Sequence, residues 1–261
     1  MIKIKRFIKY FTRLTLSGTS QCCENMVVSL SQKITEIRHA ASMNDQSALK
    51  KNIFEAFHQS ERKERRNVMN AINRVILDIA FEKNNPTLLF CLKSVSNENI
   101  SGLFSPIIQY YIKTQDQSWL QAILKLAQLQ ERKSNQSRIL AIFTQMLIEA
   151  GIERSNPVLI IMGMETLDLI SFRKYRSKIL VDIIPSLIAW GIKIKNINFL
   201  ENVYTRIPEI SDASKRSILQ AMCANAIGEV AVEKKEIPTP NRSLHIACSI
   251  KQKNRRQNTI R

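Results

Sequence analysis

The chain has 261 residues, 39 of them Lys or Arg and 22 Asp or Glu, for a formal net charge of +17. That length can bury a substantial core, and the charge favours an anionic counterpart: nucleic acid, an anionic membrane or an acidic protein. No run of about 18 apolar residues occurs, which excludes a single bilayer-spanning helix. The cysteines (Cys22, Cys23, Cys91, Cys223, Cys248) are odd in number and lack metal-ligand spacing, so they read as free thiols in a reducing compartment rather than a disulfide framework.

Residues 1–23 form a basic amphipathic segment. Ile4, Phe7, Ile8, Phe11 and Leu14 fall on one helical face, with Lys3, Lys5, Arg6, Lys9 and Arg13 around the other and no acid. Lys9 and Arg13 interrupt any apolar centre, so the segment is not a secretory signal. Three readings stay open: an in-plane membrane helix whose apolar five face the lipid, an organelle-import segment, or a first helix docked on the rest of the chain. The stretch Ser17 to Ser20 breaks the pattern at Gly18, and Cys22 and Cys23 beyond it would accept acyl groups if the helix meets a membrane.

From Glu24 to Ala41, apolar residues at helical spacing predict a capping helix. A pair follows, carrying Leu49, Ile53, Phe54 and Phe57 and then Val68, Met69, Ile72, Val75, Ile76 and Ile79. Asn85-Pro86 closes that pair and opens another, with Pro at a first helical position. The second pair is abbreviated: Leu88, Leu89 and Leu92 mark its first helix, and its second begins near Ile100, with Pro106 inside it.

Further on, the pattern repeats itself. Trp119, Leu120, Ile123, Leu124 and Ala127 match Leu159, Ile160, Gly163, Met164 and Leu167, then Phe199, Leu200, Val203, Tyr204 and Ile207, each set 40 residues after the last. Between them Ile139-Leu140, Ile179-Leu180 and Ile218-Leu219 open a second series of helices. Gly151 and Gly191 fall where those helices should stop, a duty suited to glycine, and Pro185 should bend the helix that contains it. This period resembles the HEAT/armadillo class of α-solenoids, in architecture and without a family-specific motif. The resemblance implies an all-α, right-handed solenoid of about five helix pairs across residues 24–228. Residues 229–261, with Pro238, Pro240 and a run of Lys, Arg, Asn and Gln, read as a basic tail with too little apolar area to order itself.

Catalytic signatures are absent. His39, His58 and His245 stand apart from cysteines and carboxylates at ligand spacing, and neither a Gly-rich phosphate loop nor a Gly-x-Ser-x-Gly occurs. Glu149, Glu165, Asp168 and Asp182 read as repeat-surface carboxylates. Some DNA glycosylases are built from HEAT-like repeats, but Trp119 and Trp190 are better explained as packing than as a base-binding pocket. No enzyme activity, cofactor or metal is expected.

The informative constellation is basic. Ahead of successive second helices come Arg62, Lys63, Arg65 and Arg66; Arg132, Lys133 and Arg138; Arg173, Lys174, Arg176 and Lys178; and Lys215 and Arg216. Cations at a helix N-terminus oppose its macrodipole, so helix stability does not explain them, whereas a bound phosphate would meet both side chains and free N–H groups. The expectation is a non-enzymatic scaffold that binds a protein partner along its groove and attaches to an anionic membrane surface. A nucleic-acid binder is the first alternative, and a secreted bacterial effector sorted to host mitochondria by residues 1–23 the second. The first two place the chain in the cytoplasm or at a membrane periphery.

Overall fold

The structure is a computed structural model that describes residues 21–60, 65–94 and 100–234; among them every regular element is helical and none is a strand. The α-helices are α1 (Gln21–Ser42), α2 (Gln46–Gln59), α3 (Arg65–Glu82), α4 (Phe104–Thr114), α5 (Ser118–Gln128), α6 (Lys133–Glu153), α7 (Pro157–Asp168), α8 (Arg173–Lys193), α9 (Ile197–Arg206) and α10 (Ala213–Lys234). Short 3-10 stretches cover Pro86–Ser94, Ile100–Leu103 and Ile207–Glu209. The expectations for residues 1–20, for Arg62 and Lys63, and for the tail beyond residue 234 lie outside the described residues; residues 21–23 and 229–234, assigned by sequence to the basic segment and the tail, belong to α1 and α10.

One helix-ending turn recurs, built by residues whose spacing sequence reading only partly registered. Left-handed backbone occurs at Asn44, Asn84, Gln115, Ser155 and Lys195, with φ between 48° and 58°. An Asp or Asn follows each, and its side chain takes the N–H groups that open the next helix: Asp45 from Ser47 and Ala48, Asn85 from Thr87, Asp116 from Ser118, Asn156 from Val158 and Leu159, Asn196 from Phe199. At four of the five sites the cap residue's own N–H reaches back to the carbonyl five residues earlier, Ala40, Ala80, Gly151 or Gly191, which ends the preceding helix in a Schellman turn. The Gln115 turn instead uses the single bond from its N–H to Tyr111 O.

The structure corrects the duty assigned to the glycines. Gly151 and Gly191 lie inside the last turns of α6 and α8, and the left-handed residue is Ser155 or Lys195. What they provide is closeness. A Cβ on Gly151 would sit 2.6 Å from Ile160 Cγ1, and one on Gly191 would overlap the Leu200 side chain. A second difference concerns Leu88, Leu89 and Leu92, buried as expected but on a 3-10 stretch rather than an α-helix. The tighter winding rises about 2.0 Å per residue against about 1.5 Å, so a shortened segment reaches further. Pro185 is accommodated within α8, which runs through it to Lys193.

The described chain divides into two compact units, one ending at Leu126 and one beginning at Ala127. In the first, α1 packs on α2 and α3, and the 3-10 stretch at residues 86–94 packs on both α2 and α3. Phe81 stacks on Tyr110 with centroids 4.3 Å apart, and Trp119, 4.8 Å from both rings, donates its indole N–H to Asn84 Oδ1 at 3.2 Å. That bond ties the indole to the side chain of the left-handed residue Asn84.

In the second unit the long helices form one layer, α6 on α8 and α8 on α10, while α7 packs on α6 and α9 on both α8 and α10. Leu159, Ile160, Leu167, Leu200, Val203 and Ile207 are buried, and Met164 and Tyr204, which correspond in register, are both half-buried. The layer changes character at its last described member. Leu180, Ile184 and Ile188 of α8 are at most 4% exposed. Forty residues on, α10 carries Gln220 and Ala224, half-buried, and Gly228, exposed with no described atom near its missing Cβ.

Candidate functional site

Two surfaces of the second unit carry functional potential, and both follow from the way its helices are tied together. Ser137, buried in the second turn of α6, accepts a hydrogen bond from Phe172 N–H at 3.2 Å and lies 3.1 Å from Ser171 Oγ. Ser177, at the same place in α8, accepts from Ser211 N–H at 2.8 Å. Each long helix thus fixes by its start the residues that lead into the next, bringing the N-terminal ends of α6, α8 and α10 to one edge.

That edge holds most of the sequence-derived basic residues, in two different roles. Arg132, Lys133, Arg173, Lys174, Lys178 and Lys215 are exposed and have no ion pair among the described residues. Arg176 and Arg216 turn inward instead. Arg176 donates to Ile170 O at 3.1 Å, to Asp168 O at 2.8 Å and to Glu209 Oε2 at 3.0 Å, and Arg216 donates to Ile210 O at 3.0 Å. These two arginines fasten the loops ahead of α8 and α10 and are occupied by the fold. Arg138 is half-buried and also engaged. In the first unit Arg65 behaves like them, donating to Ser60 O at 3.4 Å with its guanidinium 5.3 Å from the Phe57 ring centroid. Arg66 belongs to α3.

The edge is also partly apolar. Leu169 and Phe172, in the loop between α7 and α8, are 45% and 44% exposed beside Arg173 and Lys174. No acidic residue occupies the first turn of α6, α8 or α10, so the positive ends of the dipoles add to the side-chain charge. Two carboxylates intervene there: Asp212, which caps Lys215 N–H at the start of α10, and exposed Glu131, just ahead of Arg132.

Sequence reading expected a groove but named no residue in it. The structure places a cleft of about 350 Å³ between α7 and α9, with Ile161, Met164 and Phe199 on its walls and Glu165, Asp168 and Arg206 at its polar side. Arg206 bridges the two helices by gripping both carboxylate oxygens of Asp168, with Glu209 3.6 Å away. The hydrogen bond to Asp168 raises the guanidinium pKa further above its ordinary value. Ile161 is 55% exposed and Val158 41%. One signal in the sequence pointed here: α7 has apolar residues on more sides than one core requires.

Among the described residues no three His, Cys, Asp or Glu side chains gather as metal ligands, and no helix is long and apolar enough to cross a membrane. Cys91 and Cys223 are buried and not joined in a disulfide; burial pushes both thiol pKa values up, that of Cys223 to about 12. No family model matches the chain, and no curated protein or solved structure matches it either.

Proposed function

We propose that the chain is a non-enzymatic helical-repeat scaffold, a right-handed α-solenoid of about five helix pairs, that binds a protein partner and is held at an anionic membrane surface. The recurring left-handed residue and Asx cap support the repeat reading, with intervals of 40 residues except the 31 between Asn84 and Gln115, which span the abbreviated second pair. The observation that carries the function is the row of exposed cations on the starts of α6, α8 and α10. A helix gains nothing from cations at that end, since they oppose its dipole, whereas a row of phosphates meets them favourably. Leu169 and Phe172 favour lipid as the phosphate carrier, because apolar side chains among cations add interfacial burial to electrostatic attraction.

Sedimentation with vesicles tests this. Full-length protein should pellet with phosphatidylserine-containing vesicles, remain in solution with phosphatidylcholine alone, and lose binding when Arg173 and Lys174 are both replaced by Glu. Pelleting unchanged by that double substitution would remove the edge from the argument. A nucleic-acid role, which needs the same cations, would appear instead as salt-sensitive binding to duplex DNA or RNA with indifference to Phe172→Ser.

A further inference from the structure

The cleft between α7 and α9 differs in chemistry from the rest of this strongly basic chain. Val158, Ile161, Glu165 and Asp168 fall on one stripe of α7, so its outer face runs from apolar to acidic along the helix. The helix contains no Lys or Arg. Its C-terminal end adds the negative pole of the dipole at Asp168. Asp168 is already committed to Arg206, but Glu165, exposed on the cleft wall, has no ion pair among the described residues. Ile161 and Met164 supply an apolar seat beside it. At about 350 Å³ the cleft is at the small end of binding cavities, a size for one or two side chains rather than a cofactor.

We propose that this cleft seats an apolar side chain of an amphipathic partner helix whose neighbouring cation, one turn away, pairs with Glu165. The choice of a cationic partner follows from charge complementarity. Acidic helices are drawn to the edge formed by α6, α8 and α10, whereas the outer face of α7 offers the Glu165 carboxylate, and the Arg206 guanidinium near it is already committed to Asp168. A helix laid along the channel between α7 and α9 buries its apolar stripe on Ile161 and Met164 and brings a Lys or Arg to the acidic end, the helix-in-groove mode of recognition. The proposal rests on the scaffold reading above and names the partner chemistry of its groove.

Titration calorimetry with full-length protein and a synthetic 18-residue Leu/Lys amphipathic peptide tests it, with a Leu/Glu peptide of the same apolar pattern as the counterpart. The Leu/Lys peptide should bind and lose about tenfold in affinity with Glu165→Lys, the scale of one favourable pair turned unfavourable. Ile161→Asp should abolish binding, and Arg173→Glu with Lys174→Glu should leave it intact. Glu165 and Ile161 are exposed, and unchanged far-UV circular dichroism of each variant establishes that the fold survives. Absence of Leu/Lys binding, or equal affinity for the wild type and both cleft variants, overturns the proposal. So does a Leu/Glu peptide whose binding depends on Ile161. Vesicle pelleting by the same preparation reads the basic edge independently, so the groove can fail while the surface attachment stands.

Discussion

Individual residues show most clearly how closely the helices approach. Gly191 faces Leu200 and Phe199, whereas Gly228 faces no described atom, so the same substitution should act in opposite directions at the two sites. Gly191→Ala overpacks a close helix contact and should cost about 1–3 kcal/mol. Gly228→Ala should gain about 0.5–1 kcal/mol through helix propensity alone; thermal melts of the two variants check both signs. Cys223 supplies another measurement. With its thiol pushed up to about 12 by burial, it should resist a thiol reagent at pH 8 in the native protein and react once denatured. Its pKa is higher in the folded chain than the ordinary 9.0. The stability this gives is therefore whole below about pH 9 and lost as pH rises towards the folded value.

At the scale of elements, the helices were legible in the sequence because apolar spacing reports burial directly. Leu159, Ile160, Leu200 and Val203 were expected on core faces and are buried there. What periodicity could not reveal was the turn chemistry. Left-handed Ser155 and Lys195 are not glycine, so the glycines drew the attention that belonged to the residues just before Asn156 and Asn196. Asn156→Ala should cost about 1 kcal/mol as a lost N-cap, measured by urea denaturation. The basic edge was legible as residue type but not as role, because nothing in spacing separates an exposed Lys174 from an Arg176 whose three bonds hold a loop. The cleft was illegible for a related reason: a cavity depends on how far apart α7 and α9 stand, which neither helix encodes by itself. Between α1 and α2, Lys33 bridges Glu36 and Glu55. The hydrogen bond from Lys33 holds the Glu55 carboxyl below its usual pKa of 4.5. Its contribution is therefore present above that pH and lost as acidification protonates the group. The melting-temperature gap between wild type and Glu55→Gln should be full at pH 7 and shrink as pH falls well below 4.5.

For the molecule as a whole, the two compact units offer a built-in readout. Trp119 belongs to the first and Trp190 to the second, and these are its two tryptophans. In single-tryptophan variants, Gly191→Ala should shift the denaturation midpoint reported by Trp190 more than that reported by Trp119. Equal shifts would mean that the units unfold as one cooperative block. The exchange of Leu180, Ile184 and Ile188 for Gln220, Ala224 and Gly228 has an engineering corollary. Splicing an additional hairpin after Lys234 would confront the newcomer with a flank that carries little aliphatic surface, Gln220, Ala224 and Gly228. Seating that hairpin on α10 would first require aliphatic residues at those three places, and a variant so altered, left without the added hairpin, should become sticky and self-associate.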